Sequence, residues 1–383
     1  MLQSLNDWTG YVDQGSSVDV VYLDFAKAFD RVCHRLLIKK LEAVGIHPRI
    51  TAWVDEFLTN REFLVRVNST FSRPRLASSG VPQGAVLSPV LFNIYTYDLA
   101  EAALGHGVKY CAFADDWKVY YPVNVQGDRE LLQQAIDRVL SWSQLWKLPL
   151  LETKTKILHI GRNNNLFSYT LGQETIQPVN EVLDLGFLVD RELSFDAHCH
   201  QIALKANRIM YSSFRALSTR NPSVLLRVFK TYIRPILEYG TVVFNPSKRK
   251  SILELENVQN SFTRKLLIRV MGFLYDSIPT SVVRNKNLGL HSLSYRRRKH
   301  DLLLVYKIVH GLVGLAPNSM FEVRASCTRG SADKLIIARP RKSIRRRFFV
   351  YRAGTDYERL SKKQFIPSKL SSFERLLNSY LKS

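Results

Sequence analysis

Hydrophobic positions along this chain follow two different periods, and the switches between them lay out its elements. Residues 18–25 form a β-branched and apolar run, the pattern of a buried strand, with Asp24 at its end. A helix is expected from about His34 to Val44, where Gly45 stops it. A second should cover 48–58, with Pro48 in its first turn and Ile50, Trp53, Val54, Phe57 and Leu58 on its apolar face. Residues 62–67 alternate as a strand, and the polar Asn68-Ser69-Thr70 turns them back into 71–77. Two glycines and two prolines make 78–89 a shaped loop, and an apolar helix follows over 90–103. Runs 108–113 and 117–121 predict a hairpin, 129–146 an amphipathic helix, and 154–160 and 181–189 further strands. From Asp196 onward the period is helical, with candidate helices at 196–217, 223–237, 252–271 and 294–309. Joints are expected at 163–165 and 245–247, and no internal repeat is found.

Composition changes this picture in one respect. At 46% hydrophobic and 23% charged, the 383 residues describe a globular protein of two or three domains, but the net charge is +22. Residues 281–383 carry +17 of it. Such an excess points to a polyanion, nucleic acid before an acidic membrane surface, because no long basic amphipathic helix stands out. The candidate contacts are Arg296-Arg297-Arg298-Lys299 and Arg345-Arg346-Arg347, the latter beside Phe348, Phe349 and Tyr351. The four cysteines are scattered and form no C-x-x-C pair, and His198-Cys199-His200 has no second ligand cluster, so a zinc module is not expected. This cysteine usage suits a reducing compartment. No signal peptide or membrane span is read, so an intracellular protein, nuclear or cytoplasmic, is expected.

The candidate chemistry lies in the hairpin. Asp115 and Asp116 stand side by side at its tip, where each carboxylate repels the other unless a cation lies between them. A hard divalent ion with oxygen ligands would supply that charge; a solvated turn is the alternative, since Asp is common in turns. Asp24, at the end of a buried strand, needs a partner or a metal for the same reason.

Asp24, the Gly80-Val81-Pro82-Gln83-Gly84 loop and Phe113-Ala114-Asp115-Asp116 occur in an order that resembles the palm of a reverse transcriptase of the non-LTR (LINE-type) retrotransposon class. Tyr22–Asp30 is similar to the family's first palm motif, and Ser79–Gly84 with Leu87-Ser88-Pro89 to its second. Phe113–Asp116 is a variant of its [Tyr/Phe]-Ala-Asp-Asp box, and Lys154-Thr155-Lys156 resembles its fourth motif. Leu185–Asp190, Tyr232–Gly240 and Thr328-Arg329-Gly330 have counterparts in the region after the palm.

The resemblance implies an α+β fold: a right-hand palm with an antiparallel sheet and packed helices, then a mainly helical thumb and C-terminal region. The segments would be 1–165 for the palm with residual fingers, 166–280 for the end of the palm and the thumb, and 281–383 for a basic helical region. It implies RNA-directed DNA polymerisation with an RNA template, a DNA primer and dNTPs. Two Mg²⁺ ions, with Mn²⁺ as the substitute, would be held by Asp24, Asp115, Asp116 and the Phe25 carbonyl. Phe29 would crowd a ribose 2′-hydroxyl, Gln83 and Gly84 would meet the incoming nucleotide, and Lys154 would donate a proton to pyrophosphate.

Departures from the pattern are Trp117 after the Asp pair and Leu151-Glu152 near the fourth motif. Only 23 residues precede Asp24, so the basic fingers motifs are expected to be missing, replaced by Arg66 or Arg73, by a preceding segment or by a partner encoded by the same element. There is likewise no room for an amino-terminal endonuclease domain. A non-catalytic nucleic-acid-binding remnant is the rival reading; an RNA-dependent RNA polymerase is disfavoured by Phe29.

Overall fold

The computed structural model describes residues 1–103, 107–274, 277–325 and 333–381, so Cys327 and the Thr328-Arg329-Gly330 motif lie outside the described residues. The chain forms two compact units. One is 16–180; the other joins residues 1–15, mostly helix α1 (Leu2–Gln14), to 181–383. This division does not coincide with the expected breaks at 165/166 and 280/281. Both expected joints fall inside a unit: Asn164 donates from Nδ2 to buried Asp19 at 2.8 Å, and Asn245 from Nδ2 to buried Asp301 at 3.1 Å.

The first unit is built on β1 (Ser17–Leu23), whose alternate side chains are buried on both faces. Helices α2 (His34–Ala43) and α3 (Pro48–Leu58) come next. The side chain of His47 accepts the Arg49 N–H at 3.3 Å and Pro48 opens the first turn, which fixes where α3 begins. Only part of its expected apolar face is used. Val54 and Leu58 are buried, while Ile50 and Trp53 are exposed. The ribbon at 62–76 is broken into β2 (Glu62–Phe63), β3 (Arg66–Val67), β4 (Thr70–Phe71) and β5 (Arg75–Leu76).

The helix expected over 90–103 is two, α4 (Ser88–Thr96) and α5 (Leu99–Ala103). Between them Asp98 receives the buried Lys40 ammonium at 2.5 Å, and Lys40 also donates to the Tyr95 carbonyl. Then come β6 (Lys109–Phe113), β7 (Asp116–Val123), α6 (Gln126–Leu145), β8 (Lys156–Ile160), β9 (Thr170–Leu171), β10 (Glu174–Thr175) and β11 (Gln177–Val179).

The sheet order is β11-β8-β1-β7-β6, antiparallel except for the parallel β11–β8 edge. Its core joins Val21, Leu23, Val119 and Ile157 to Leu37 and Leu41 of α2, Phe92 and Tyr95 of α4, and Leu132, Ile136 and Val139 of α6. The parallel pairing of β11 with β8 makes 166–180 part of this sheet and of the first unit.

From residue 181 the second unit continues with a hairpin, not the single strand expected at 181–189. Strands β12 (Glu181–Asp184) and β13 (Phe187–Asp190) turn at Leu185-Gly186, both at positive φ. After α7 (Asp196–Ala216), the helix expected over 223–237 is divided into α8 (Pro222–Val228), one wider π-type turn at Phe229–Ile233, and α9 (Arg234–Glu238). Pro235 lacks the N–H and crowds the preceding turn, which the wider winding relieves.

The remaining elements are α10 (Thr241–Phe244), α11 (Arg249–Met271), α12 (Ser281–Asn287), α13 (Leu293–Val309), α14 (Pro317–Met320), β14 (Glu322–Ala325), β15 (Asp333–Ile336), α15 (Ser343–Arg347), α16 (Phe349–Lys363) and α17 (Leu370–Tyr380). The fold is α+β, with no helix among the described residues long and apolar enough to cross a membrane.

Candidate active site

Asp24 sits just beyond the end of β1 and is half-exposed. The β1–β7 ladder pairs Leu23 with Trp117, so one further step in register sets Asp24 across from Asp116. Directly opposed residues of an antiparallel pair share a face. Phe113 pairs with Asp116, leaving Ala114 and Asp115 as a two-residue turn. Ala114 takes φ 53°, a left-handed conformation that costs a residue with a Cβ about 1–2 kcal/mol. Both Asp115 and Asp116, beside this strained residue at the hairpin tip, are exposed. Among the described residues, no three His, Cys, Asp or Glu side chains gather closely enough to hold an ion. The fold thus brings the three aspartates to one end of the sheet without converging their carboxylates.

Lys154 is brought to the same place by the backbone. The Leu151 N–H donates to the Asp24 carbonyl at 2.8 Å and the Ala26 N–H to the Pro149 carbonyl at 2.9 Å, around a bridge between Phe25 and Leu150. The next turn leaves Lys154 Nζ 3.8 Å from Asp24 Oδ2. The Phe25 ring itself is core, edge-on to Trp142 at 6.5 Å, so only its backbone could serve a site.

Phe29 lies in a short 3-10 turn, Ala28–Asp30, after Lys27 at φ 50°. Its ring stacks on Phe92 of α4, with centroids 4.5 Å apart and planes 17° from parallel. The Gly80–Gly84 loop is laced to this turn. Val81 N–H donates to the Phe29 carbonyl at 2.8 Å, Gly80 N–H to the Val32 carbonyl at 2.8 Å, Ser79 Oγ to the Asp30 carbonyl at 2.9 Å, and Gln83 Nε2 to Asp30 Oδ1 at 2.9 Å. Gly84 stands exposed at φ 87° with open space around it. Sequence reasoning missed two supports here. Arg61 Nη2 donates to the Gly80 carbonyl at 2.7 Å, and Phe92 backs Phe29. Phe92 is hidden within an apolar helical run, and nothing marks Arg61 in the sequence.

The sequence of residues 3–196 matches the family described as reverse transcriptase (RNA-dependent DNA polymerase). This chain belongs to the reverse transcriptase family. It is 28% identical over 260 residues to the probable RNA-directed DNA polymerase from transposon X-element of Drosophila melanogaster, a match covering 64% of this chain and 28% of that protein. It is 26% identical over 330 residues to the one from transposon BS of the same species, covering 78% and 34%. The polymerase from mobile element jockey of Drosophila funebris is 25% identical over 255 residues, covering 64% and 28%. The matches therefore span about a third or less of the curated relatives' length, and the relatives are of the non-LTR, LINE-type class. A solved telomerase structure from Candida albicans, in complex with the TWJ fragment of telomeric RNA, has a TM-score of 0.33 and 12% identity, covering 79% of this chain and 52% of that one.

The basic clusters of this chain correct the expectation drawn from charge. Arg297 is 2% exposed, with Nη2 on Ser294 Oγ at 2.8 Å. Arg296 pairs with Glu238, Arg298 with Asp356 at 2.5 and 2.7 Å, and Lys299 bonds Asn378 at 2.8 Å. On a helix, four consecutive residues point around the whole circumference, so this run cannot form one basic face. Arg345 is also spent inside the unit, donating from Nη1 to the carbonyl and side-chain oxygens of Asn6 and to Thr9 Oγ1 at 2.8–2.9 Å. Arg346 is exposed, and Arg347 is half-buried.

The post-palm motifs explain one another. Tyr239 stacks on Phe187 with centroids 5.3 Å apart, and Gly240, at φ 65°, lies so close to the Phe187 ring that a Cβ would overlap it. Asp190 accepts the N–H groups of Glu192, Ser194 and Phe195 and fixes the entry to α7.

Proposed function

We propose that this chain is an RNA-directed DNA polymerase domain that joins deoxynucleotides to a primer 3′-hydroxyl opposite an RNA template. The observation that supports it most is the register that pairs Leu23 with Trp117 and Phe113 with Asp116, which brings Asp24, Asp115 and Asp116 to one end of the sheet. Three carboxylates and a backbone carbonyl form an all-oxygen donor set suited to Mg²⁺, with Mn²⁺ as a substitute. Asp24, Asp115, Asp116 and the Phe25 carbonyl would hold two such ions. When bound, they would supply the charge that stabilises the attacking and leaving oxygens of the transfer.

The chain's own residues do the rest. Lys154, with Nζ 3.8 Å from Asp24 Oδ2, stands beside the carboxylates and carries a proton toward the departing pyrophosphate. Gln83 and Gly84, on the loop tied to Asp30, line the place of the incoming nucleotide. Phe29 crowds the 2′ position of its sugar. Nucleic acid is held through its phosphates, without readout of bases. The compartment is intracellular, nuclear or cytoplasmic, and no membrane takes part.

Extension of a DNA primer on an RNA template tests this reading. Synthesis with dNTPs that stops on chelation and fails with rNTPs supports it. RNA binding without synthesis under any divalent ion would leave a binding remnant.

A further inference from the structure

Phe29 can exclude a 2′-hydroxyl only if its ring cannot yield. A partly buried phenylalanine on a short turn has other χ1 wells, and a swing between them costs little unless packing forbids it. The backbone beneath Phe29 is held by the Val81 N–H on its carbonyl at 2.8 Å and by the Asp30 N–H on the Lys27 carbonyl at 2.9 Å. Backbone bonds do not fix a side-chain torsion. The ring is partly buried against the core, and among the described residues the aromatic ring it stacks on is that of Phe92.

Phe92 is well placed to be immovable. It is fully buried on α4, among Leu37, Leu91 and Tyr95 of one core. The helix is pinned at both ends. Ser88 Oγ donates to the Pro82 carbonyl at 2.5 Å at its start, and Lys40 joins the Tyr95 carbonyl to Asp98 just past its end. Four aromatic rings surround the Lys40 ammonium, with that of Trp146 nearest at 3.6 Å. Behind Phe29 there is thus a rigid ring on an anchored helix.

We infer that Phe92 is a positioning residue that sets the sugar selectivity of this polymerase by holding the Phe29 ring against the 2′ position of the incoming nucleotide. It touches no substrate. Shortening it opens space under Phe29, into which the ring retreats, and a ribonucleotide then fits. The inference rests on the polymerase reading above, with Phe29 as the residue that meets the sugar.

The test is the ratio of kcat/KM for rNTP to that for dNTP in RNA-templated primer extension, for the wild type, Phe29→Ala, Phe92→Leu and the double variant. A ratio does not depend on the fraction of folded enzyme, so a merely structural loss leaves it unmoved. If the leucine variant does not fold, Phe92→Met, of similar volume but with a flexible side chain that adapts to the gap, takes its place. Phe92→Leu should raise the ratio about tenfold, the scale of discrimination set by a small change in apolar volume. The double variant should rise no further than Phe29→Ala, because both changes remove the same obstacle. A ratio raised by Phe29→Ala but unmoved by Phe92→Leu or Phe92→Met, or multiplied in the double variant, would overturn the inference alone. No extension by the wild type, or no effect of Phe29→Ala, would overturn the polymerase reading or the role of Phe29 together with it.

Discussion

Gly80 and Asp30 touch backbone to backbone: a Cβ on Gly80 would lie 2.7 Å from the Asp30 carbonyl oxygen. Gly80 also has φ 87°, which L side chains rarely adopt. The loop carrying Gln83 is therefore set on the turn carrying Phe29 by a contact that only glycine permits. Gly80→Ala combines a left-handed penalty with a clash, each about 1–2 kcal/mol or more, and should destabilise the first unit accordingly. Chemical denaturation should show a lower midpoint, and the KM for dNTP should rise because Gln83 is displaced. An unchanged midpoint and KM would contradict this account of the loop.

His198 is buried between the rings of Phe187 and Phe244, and its Nδ1 accepts the Leu188 N–H at 3.3 Å. Burial lowers its pKa to about 4 from an ordinary 6.5. Between these values the unfolded chain binds the proton and the folded chain does not, so stability rises with pH through this window. The contribution is fully present above about 6.5 and is lost as pH falls toward 4, by about 3 kcal/mol at most. Denaturation at several pH values should show this slope, and His198→Gln, neutral throughout, should reduce it.

The charge pattern places Arg297 on a nucleic-acid surface, yet it is buried, and its Nε and Nη1 find no hydrogen-bond partner. A desolvated, poorly paired charge contributes little that a methionine of similar volume would not. Arg297→Met should therefore be neutral or stabilising by about 1–2 kcal/mol, with RNA affinity unchanged. Arg346→Ala, on an exposed residue, should weaken RNA binding and lower its salt slope by about one ion. Filter binding across salt concentrations, with denaturation of each variant, checks both.

Buried Asp19 accepts His159 Nδ1 at 2.7 Å, Asn164 Nδ2 at 2.8 Å and Tyr169 OH at 2.8 Å. Asp19→Ala would strand three polar groups at the start of the strand that ends at Asp24. It should cost about 3–5 kcal/mol in thermal or chemical unfolding.

Much of this is legible in the sequence because period and motif agree. The β1 run, the paired strands around Asp115-Asp116 and the Gly80–Gly84 loop all lie where residue pattern and resemblance place them. What escapes is set by contacts between distant residues. The hairpin at 181–190 reads as one strand because Leu185-Gly186 carries little of the usual polar turn signal. Helix α1 goes unread because only one stripe of it is apolar, with Leu5 and Trp8 buried. The short strands β9–β11 lack a period to detect. Charge misleads at 296–299 because composition does not say which arginines find a carboxylate in the folded chain.

The most direct test of the central claim is RNA-templated primer extension with Mg²⁺ and dNTPs by the wild type beside Asp115→Ala/Asp116→Ala, with RNA binding measured on both. Extension by the wild type, abolished in the variant while RNA binding is retained, is the predicted result. Equal extension by both proteins, or salt-sensitive RNA binding by both with no extension by either, would contradict it.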